Sequence, residues 1–162
     1  MTRALIELGY RRLAFVGQPL RFNERARERR RGFRAALSEA GLDPEGALIL
    51  EAPAGIKSGA ETLARVIETR PDTDAIFFGG DVLAIGAILE CHRRGWAVPG
   101  RVAIANFDDQ EMAVQVTPSL TSIRIPRAEI GRRAAEIIFE HPRRTAPACI
   151  DVGFEIIRRD ST

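Results

Sequence analysis

DAIFFGGDVLAIGAILECHRRG, residues 74–95, carries the decision about the fold. Ala75–Phe78 is a short apolar run of β-branched and aromatic residues, the composition of a buried strand. Gly79 and Gly80 break it. Asp81 then stands where an N-cap is wanted, and Val82–Arg94 follows with helical spacing until Gly95, a residue suited to a helix C-terminus. Strand, tight glycine turn and helix in this order form the βα half of a parallel crossover.

The same unit recurs on both sides of that stretch. Leu13–Val16 is an apolar run ended by Gly17 and Pro19, and a helix is expected over Arg25–Ala40, closed by Gly41. Ala47–Leu50 leads through the loop Ala52–Lys57 to a helix over Ser58–Thr69. There Ser58 and Glu61 have the spacing of a capping box, and Pro71 ends the helix. Val102–Asn106 is a fourth strand, running into Asp108 and Asp109. Repeated βα units predict an α/β fold with a doubly wound parallel sheet, covered by helices on both faces. After Pro118 the pattern changes. Leu120–Ile125 alternates as a strand, Pro126 suits a helix start, and Ala128–Glu140 is periodic in Ile130, Ala134, Ile137 and Ile138. Ala148–Ile157 reads as extended, with a kink at Gly153.

Composition narrows the function classes. The 162 residues are 45% hydrophobic and 28% charged, ordinary globular values that exclude a disordered or fibrous chain. A net charge of +2 gives no electrostatic case for a nucleic-acid or membrane surface. No apolar run approaches the ~18 residues of a membrane span, and MTRALIELGYRR lacks the apolar core of a secretory signal, so a cytoplasmic location is expected. Cys91 and Cys149 are far apart and expected to be reduced. His92 and His141 make no metal-ligand spacing with them, so neither metal nor cofactor is expected. Lys57 is the single lysine, so the arginines hold nearly all the positive charge.

In open parallel sheets ligands bind beyond the carboxyl ends of the strands, which directs attention to residues 18–28, 52–58, 79–81 and 106–110. Seven arginines and two glutamates crowd Arg21–Arg34. Most of these arginines read as a solvated helix face, while one or two near the helix start can hold an anionic or polyhydroxyl ligand. Asp81 reads first as a helix cap, with ligand contact as an additional role. Asp108 and Asp109 read equally as caps or as acceptors for sugar hydroxyls. Neither GxxxxGK[ST] nor GxGxxG is present, and no histidine lies near these loops, so nucleotide binding and catalysis are disfavoured.

With these loops placed, the sequence resembles the effector-binding core of the lactose-repressor (LacI) family of bacterial transcription regulators. The landmarks are LIELGYRRLAFVG (5–17), RRRGFRAALSEAGL (29–42), SGAETLARVIE (58–68), DAIFFGGDVLAIGAI (74–88), RRGWAVPGRVAIANFDD (93–109) and PSLTSIRIPRAEIG (118–131). ECHRRGWAVP, VAIANF and IDVGFEII resemble the gluconate-repressor type. The resemblance implies a periplasmic-binding-protein-like lobe: residues 1–118 as a C-terminal lobe, 119–145 as a return segment belonging to an N-terminal lobe, and 146–162 as final strands. The family's helix-turn-helix and most of its N-terminal lobe find no counterpart in these residues, so operator DNA would be a partner only through that further module.

By position, the resemblance implies effector contacts from Asn23, Arg25, Arg29, Gly80, Asp81 and Asp108. It also implies a homodimer interface from Leu83, Ile85, Ile88 and Leu89 on one helix, with Met112, Val114 and Val116 beyond it. Two departures matter. Asn106 stands where the family's glycine precedes the aromatic-Asp-Asp run, and Ala54 falls where a stacking aromatic is expected. Without that ring, purines and pyranoses become less suited than an acyclic sugar, polyol or sugar acid, which two guanidinium groups can grip. The expected function is effector sensing without catalysis. A transport-type sugar-binding protein and a small α/β enzyme using Asp108 remain as alternatives.

Overall fold

The computed structural model of the protein describes residues 1–140 and 149–162. Helix α1 (Thr2–Glu7) leads into β1 (Leu13–Gly17), α2 (Glu24–Glu39), β2 (Leu48–Glu51), α3 (Ile56–Thr69) and β3 (Ala75–Phe78). Then come α4 (Asp81–Arg94), β4 (Ala103–Asp108), α5 (Glu111–Gln115), β5 (Thr121–Arg124), α6 (Arg127–Glu140) and β6 (Glu155–Ile157). The strands form one sheet in the order β2-β1-β3-β4-β5-β6, parallel except for β6, which runs antiparallel to β5. The chain reverses its winding direction between β1 and β3, the position where open sheets leave a crevice.

Alternation along each strand sends side chains to two cores. Leu13, Phe15, Phe77, Ala103 and Ile123 pack with Leu5 of α1 and with Phe33 and Leu37 of α2. The Phe15 ring stacks on Phe33 and tilts against Phe77, each at 5.4 Å between centroids. Ala14, Val16, Ile76, Phe78 and Ile104 face the other way, onto α3, α4 and α5. There α3 and α4 touch at backbone distance, because a Cβ on Gly59 would overlap the Leu83 carbonyl and one on Gly86 would overlap that of Ile56.

The structure moves several sequence expectations. Helix α3 begins at Ile56 after an N-cap at Gly55, so Ser58 and Glu61 lie inside the helix and form no capping box; the Ser58 carbonyl instead accepts from Thr62 Oγ1. The N-cap of α4 is Gly80, and the Asp81 side chain makes no capping bond. Leu83, Ile85 and Ile88 are buried in the α3–α4 core, so they cannot form an outer contact face; Leu89 is 45% exposed and Met112 54%. Thr121–Arg124, expected to open the return segment, instead hydrogen-bonds to β4 and β6 as an inner strand. Beyond it, α6 turns largely exposed, with Ile130, Ile138 and Phe139 uncovered. His141 and the first residue of the expected final extended stretch, Ala148, lie outside the described residues. Among those described, no helix is long and apolar enough to cross a membrane.

Candidate functional site

The carboxyl ends of β1, β3 and β4 meet at one edge, where the Gly79 amide donates to the Val16 carbonyl at 2.8 Å. Above it opens a cleft of about 860 Å³, lined by Gln18, Asn23, Arg25 and Asp108 from the stretches 18–28 and 106–110, by Arg29 further along α2, and by Arg127 from α6. Asn23 is the N-cap of α2, accepting from the Ala26 amide at 3.0 Å, and its own amide donates to Gln18 Oε1 at 3.2 Å. It fixes where α2 starts, and therefore where Arg25 and Arg29 project.

Arg29 is the half-buried arginine of this group. Its Nη1 donates to the Gly79 carbonyl at 3.4 Å, and its guanidinium lies 4.0 Å from the centre of the Phe107 ring. Burial pulls its pKa below the ordinary arginine value; Asp108 opposes that shift and Arg25 adds to it. The guanidinium stays charged at neutral pH. Two carboxylates also line the cleft and are paired with arginines of the same helix: Glu24 with Arg27 at 2.8 Å and Glu28 with Arg31 at 2.7 Å. These pairs neutralise the two glutamates at the cleft wall. They leave Arg25 and Arg29 facing the cleft without an ion pair among the described residues.

Asp108 closes the opposite wall. It has φ 114° and Asp109 φ 56°, conformations that non-glycine residues hold only under constraint from their surroundings. Arg127 reaches across, donating to the Asp108 carbonyl at 2.7 Å with its guanidinium 3.4 Å from Asp108 Oδ1. The sequence placed the start of α6 one residue later, and Arg127 was legible only as a basic residue after Pro126.

Gly80 and Asp81 are not on the cleft surface. Gly79 lines it, whereas Asp81 is 3% exposed and lies beneath the Asp108 turn, accepting from Asn106 Nδ2 and, at 2.7 Å, from the Gln110 amide. Burial pushes its carboxyl up to about 6, with Asp108 reinforcing the rise; the amides of Gln110 and Asp109 and the charge of Arg127 oppose it. Asp109 behaves in the opposite way. Burial alone would raise its carboxyl, yet Arg159 at 2.6 Å and Arg124 at 2.7 Å hold it below the usual carboxylate range. Among the described residues no cluster of His, Cys, Asp or Glu is placed to hold a metal ion.

What the cleft offers is two guanidinium groups without an ion pair among the described residues on one side, and a carboxylate with a third guanidinium on the other, with the Phe107 ring beneath Arg29. This set can grip a small molecule that carries both a negative group and hydroxyls.

Comparison with known proteins agrees in fold and order. The periplasmic binding protein-like domain matches residues 2–162. The HTH-type transcriptional regulator GntR of Pseudomonas aeruginosa is 38% identical over 161 residues, which are 98% of this chain and 46% of the relative. The crystal structure of the transcription regulator GntR from Chromobacterium violaceum superposes with a TM-score of 0.87 at 40% identity, covering 99% of this chain and 59% of that one. A transcriptional regulator CelR–cellobiose complex superposes with a TM-score of 0.89 at 28% identity, covering 99% and 50%. The chain spans about half the length of the curated relatives it matches. With the lobe, the cleft and these relatives in agreement, the chain belongs to the periplasmic binding protein-like domain family and groups there with the LacI-family transcriptional regulators.

Proposed function

We propose that the protein is the effector-sensing lobe of a cytoplasmic, bacterial LacI-family regulator and that its effector is a sugar acid of the aldonic type. The single observation that carries the effector class is Arg29, seated on Phe107 and directed with Arg25 into a cleft whose nearby glutamates are already paired. A carboxylate would satisfy the two guanidinium groups, and the ligand hydroxyls would find Asp108, Asn23 and Gln18. A structural neighbour is a CelR–cellobiose complex, which favours a polyhydroxyl ligand.

The role is binding rather than turnover. Effector would stabilise one of two orientations between this lobe and a partner lobe and so change affinity for operator DNA, which is contacted by a module outside these residues. The uncovered apolar face of α6, with Ile130 and Ile138, suits docking onto that partner lobe. Val82, Leu89, Met112 and Val114, exposed on α4 and α5, suit a homodimer contact. The named relatives are regulators, which favours this reading over a transport protein.

A thermal-shift series on the full-length protein tests the proposal, because a ligand that binds only the folded state raises Tm by mass action. Aldonic acids such as D-gluconate are expected to raise Tm more than the matching pyranoses do. A larger rise with pyranoses, or none with any aldonic acid, overturns the effector class.

A further inference from the structure

The turn that presents Asp108 is encircled by polar contacts. From the Gln110 amide they run to the Asp81 carboxylate, on to Asn106 Nδ2, and from Asn106 Oδ1 to the hydroxyl of Ser122. Ser122 Oγ lies 3.4 Å from Arg159 Nη1, and that nitrogen lies 2.6 Å from Asp109 Oδ1. The contacts thus end on the residue beside the one where they began, in an ion pair rather than an aligned hydrogen bond. Asn106 and Ser122 are fully buried, Asp81 nearly so, and the Asp109 side chain is 2% exposed. The ring surrounds the two consecutive positive-φ residues, Asp108 and Asp109.

A buried polar ring of this kind is costly unless every member is paired, and strained backbone persists only where its surroundings fix it. Asn106 is the member that touches both sides. Its amide nitrogen serves Asp81 at the start of α4, and its amide oxygen serves Ser122 on β5. A residue without an amide at this position would leave Asp81 and Ser122 unjoined.

We propose that Asn106 is a positioning residue for the effector cleft: through Asp81 and Ser122 it fixes the shape of the Asp108–Gln110 turn and thereby the presentation of Asp108. The proposal rests on the cleft being the effector site, but its first test needs no effector. The groups facing the Asp81 carboxylate are Asn106 from β4, the Asp109 and Gln110 amides and Asp108 from the turn, and Arg127 from α6. Asn106 donates to the charged form, so its loss makes that form harder to keep.

Selective ¹⁵N-glutamine labelling of the full-length protein follows the Gln110 amide, which is assigned as the signal lost in Gln110→Glu. In the wild type that amide should titrate with the Asp81 midpoint of about 6. Asn106→Ala should move the midpoint upward by about one pH unit. Ser122→Ala, a milder change, should move it in the same direction by less and covers the case in which Asn106→Ala does not fold. Asn106→Ala should also weaken D-gluconate binding to the full-length protein about tenfold, the size expected when a displaced Asp108 loses one hydrogen bond to a ligand hydroxyl. A simple packing role would lower Tm and leave the Gln110 midpoint where it is. An unchanged midpoint in the folded variants overturns the proposal, as does a moved midpoint with unchanged affinity. If D-gluconate does not bind the wild type, the effector reading fails separately, and the amide titration still decides whether Asn106 holds the turn.

Discussion

Replacing Asp81 by Asn should alter how stability depends on pH, by an amount that follows from its burial. The Asp81 carboxyl is raised from 3.8 to about 6 in the folded protein. Between those values the folded state holds a proton that the unfolded state has released, so unfolding becomes easier as pH rises through this window. The full difference corresponds to about 3 kcal/mol, of which about 2 kcal/mol falls between roughly pH 4 and pH 7. Asp81→Asn removes the titration and keeps the side-chain shape. It also takes one acceptor away from Asn106 Nδ2 or from the Gln110 amide, a loss of about 1 to 3 kcal/mol that does not vary with pH. Urea unfolding of both proteins across this range separates the two effects. Relative to wild type, the variant should gain about 2 kcal/mol between roughly pH 4 and pH 7, whatever the constant offset. A difference that stays flat with pH would refute the reasoning, since Asp81 would then titrate alike in the folded and unfolded chains.

Three further outcomes follow from the packing. Gly86→Ala drives a Cβ into the Ile56 carbonyl and should destabilise by about 1 to 3 kcal/mol in urea unfolding; a neutral result would mean that α3 and α4 can move apart freely. Phe33→Ala removes a buried ring stacked on Phe15 and should cost about 3 to 5 kcal/mol by the same measurement, with a loss below about 1 kcal/mol contradicting its place in the core. Asp109→Asn leaves Arg159 beside a neutral amide. The carboxyl of Asp109 lies below its ordinary value, so its contribution is present near neutral pH and lost as pH falls. Calorimetric melting should therefore show a Tm deficit near pH 7 that narrows on acidification.

Much of the fold could be read locally. β3 and the end of α4 are written in neighbouring residues, with the apolar run Ala75–Phe78, the glycine pair that follows it, and Gly95 in the left-handed conformation at the helix end. What escaped was decided by partners distant in sequence. Asp81 has every local feature of a cap, yet its acceptors are used by Asn106 and Gln110, 25 and 29 residues on. Asp109 is bound by Arg159 across the antiparallel return of the chain, a pairing that no spacing rule announces. Leu83, Ile85 and Ile88 share a helix with Leu89, but glycines on α3 and α4 let those helices approach until the first three are enclosed. Arg29 was separable from its neighbours because it precedes Gly32 and Phe33 in a family-like run, while Arg127 gained its place only when α6 folded over the cleft edge.

The central claim is that Arg29, and not diffuse positive charge along α2, holds the effector. Calorimetric titration of D-gluconate into the full-length wild type, Arg29→Ala and Arg34→Ala tests it most directly. Arg34 lies on the same helix but pairs with Glu45 at 2.9 Å, and it does not line the cleft. The account predicts binding by wild type and Arg34→Ala with similar Kd, and a loss of about tenfold to a hundredfold in Arg29→Ala. Equal weakening of both variants, or undiminished binding by Arg29→Ala, would contradict it.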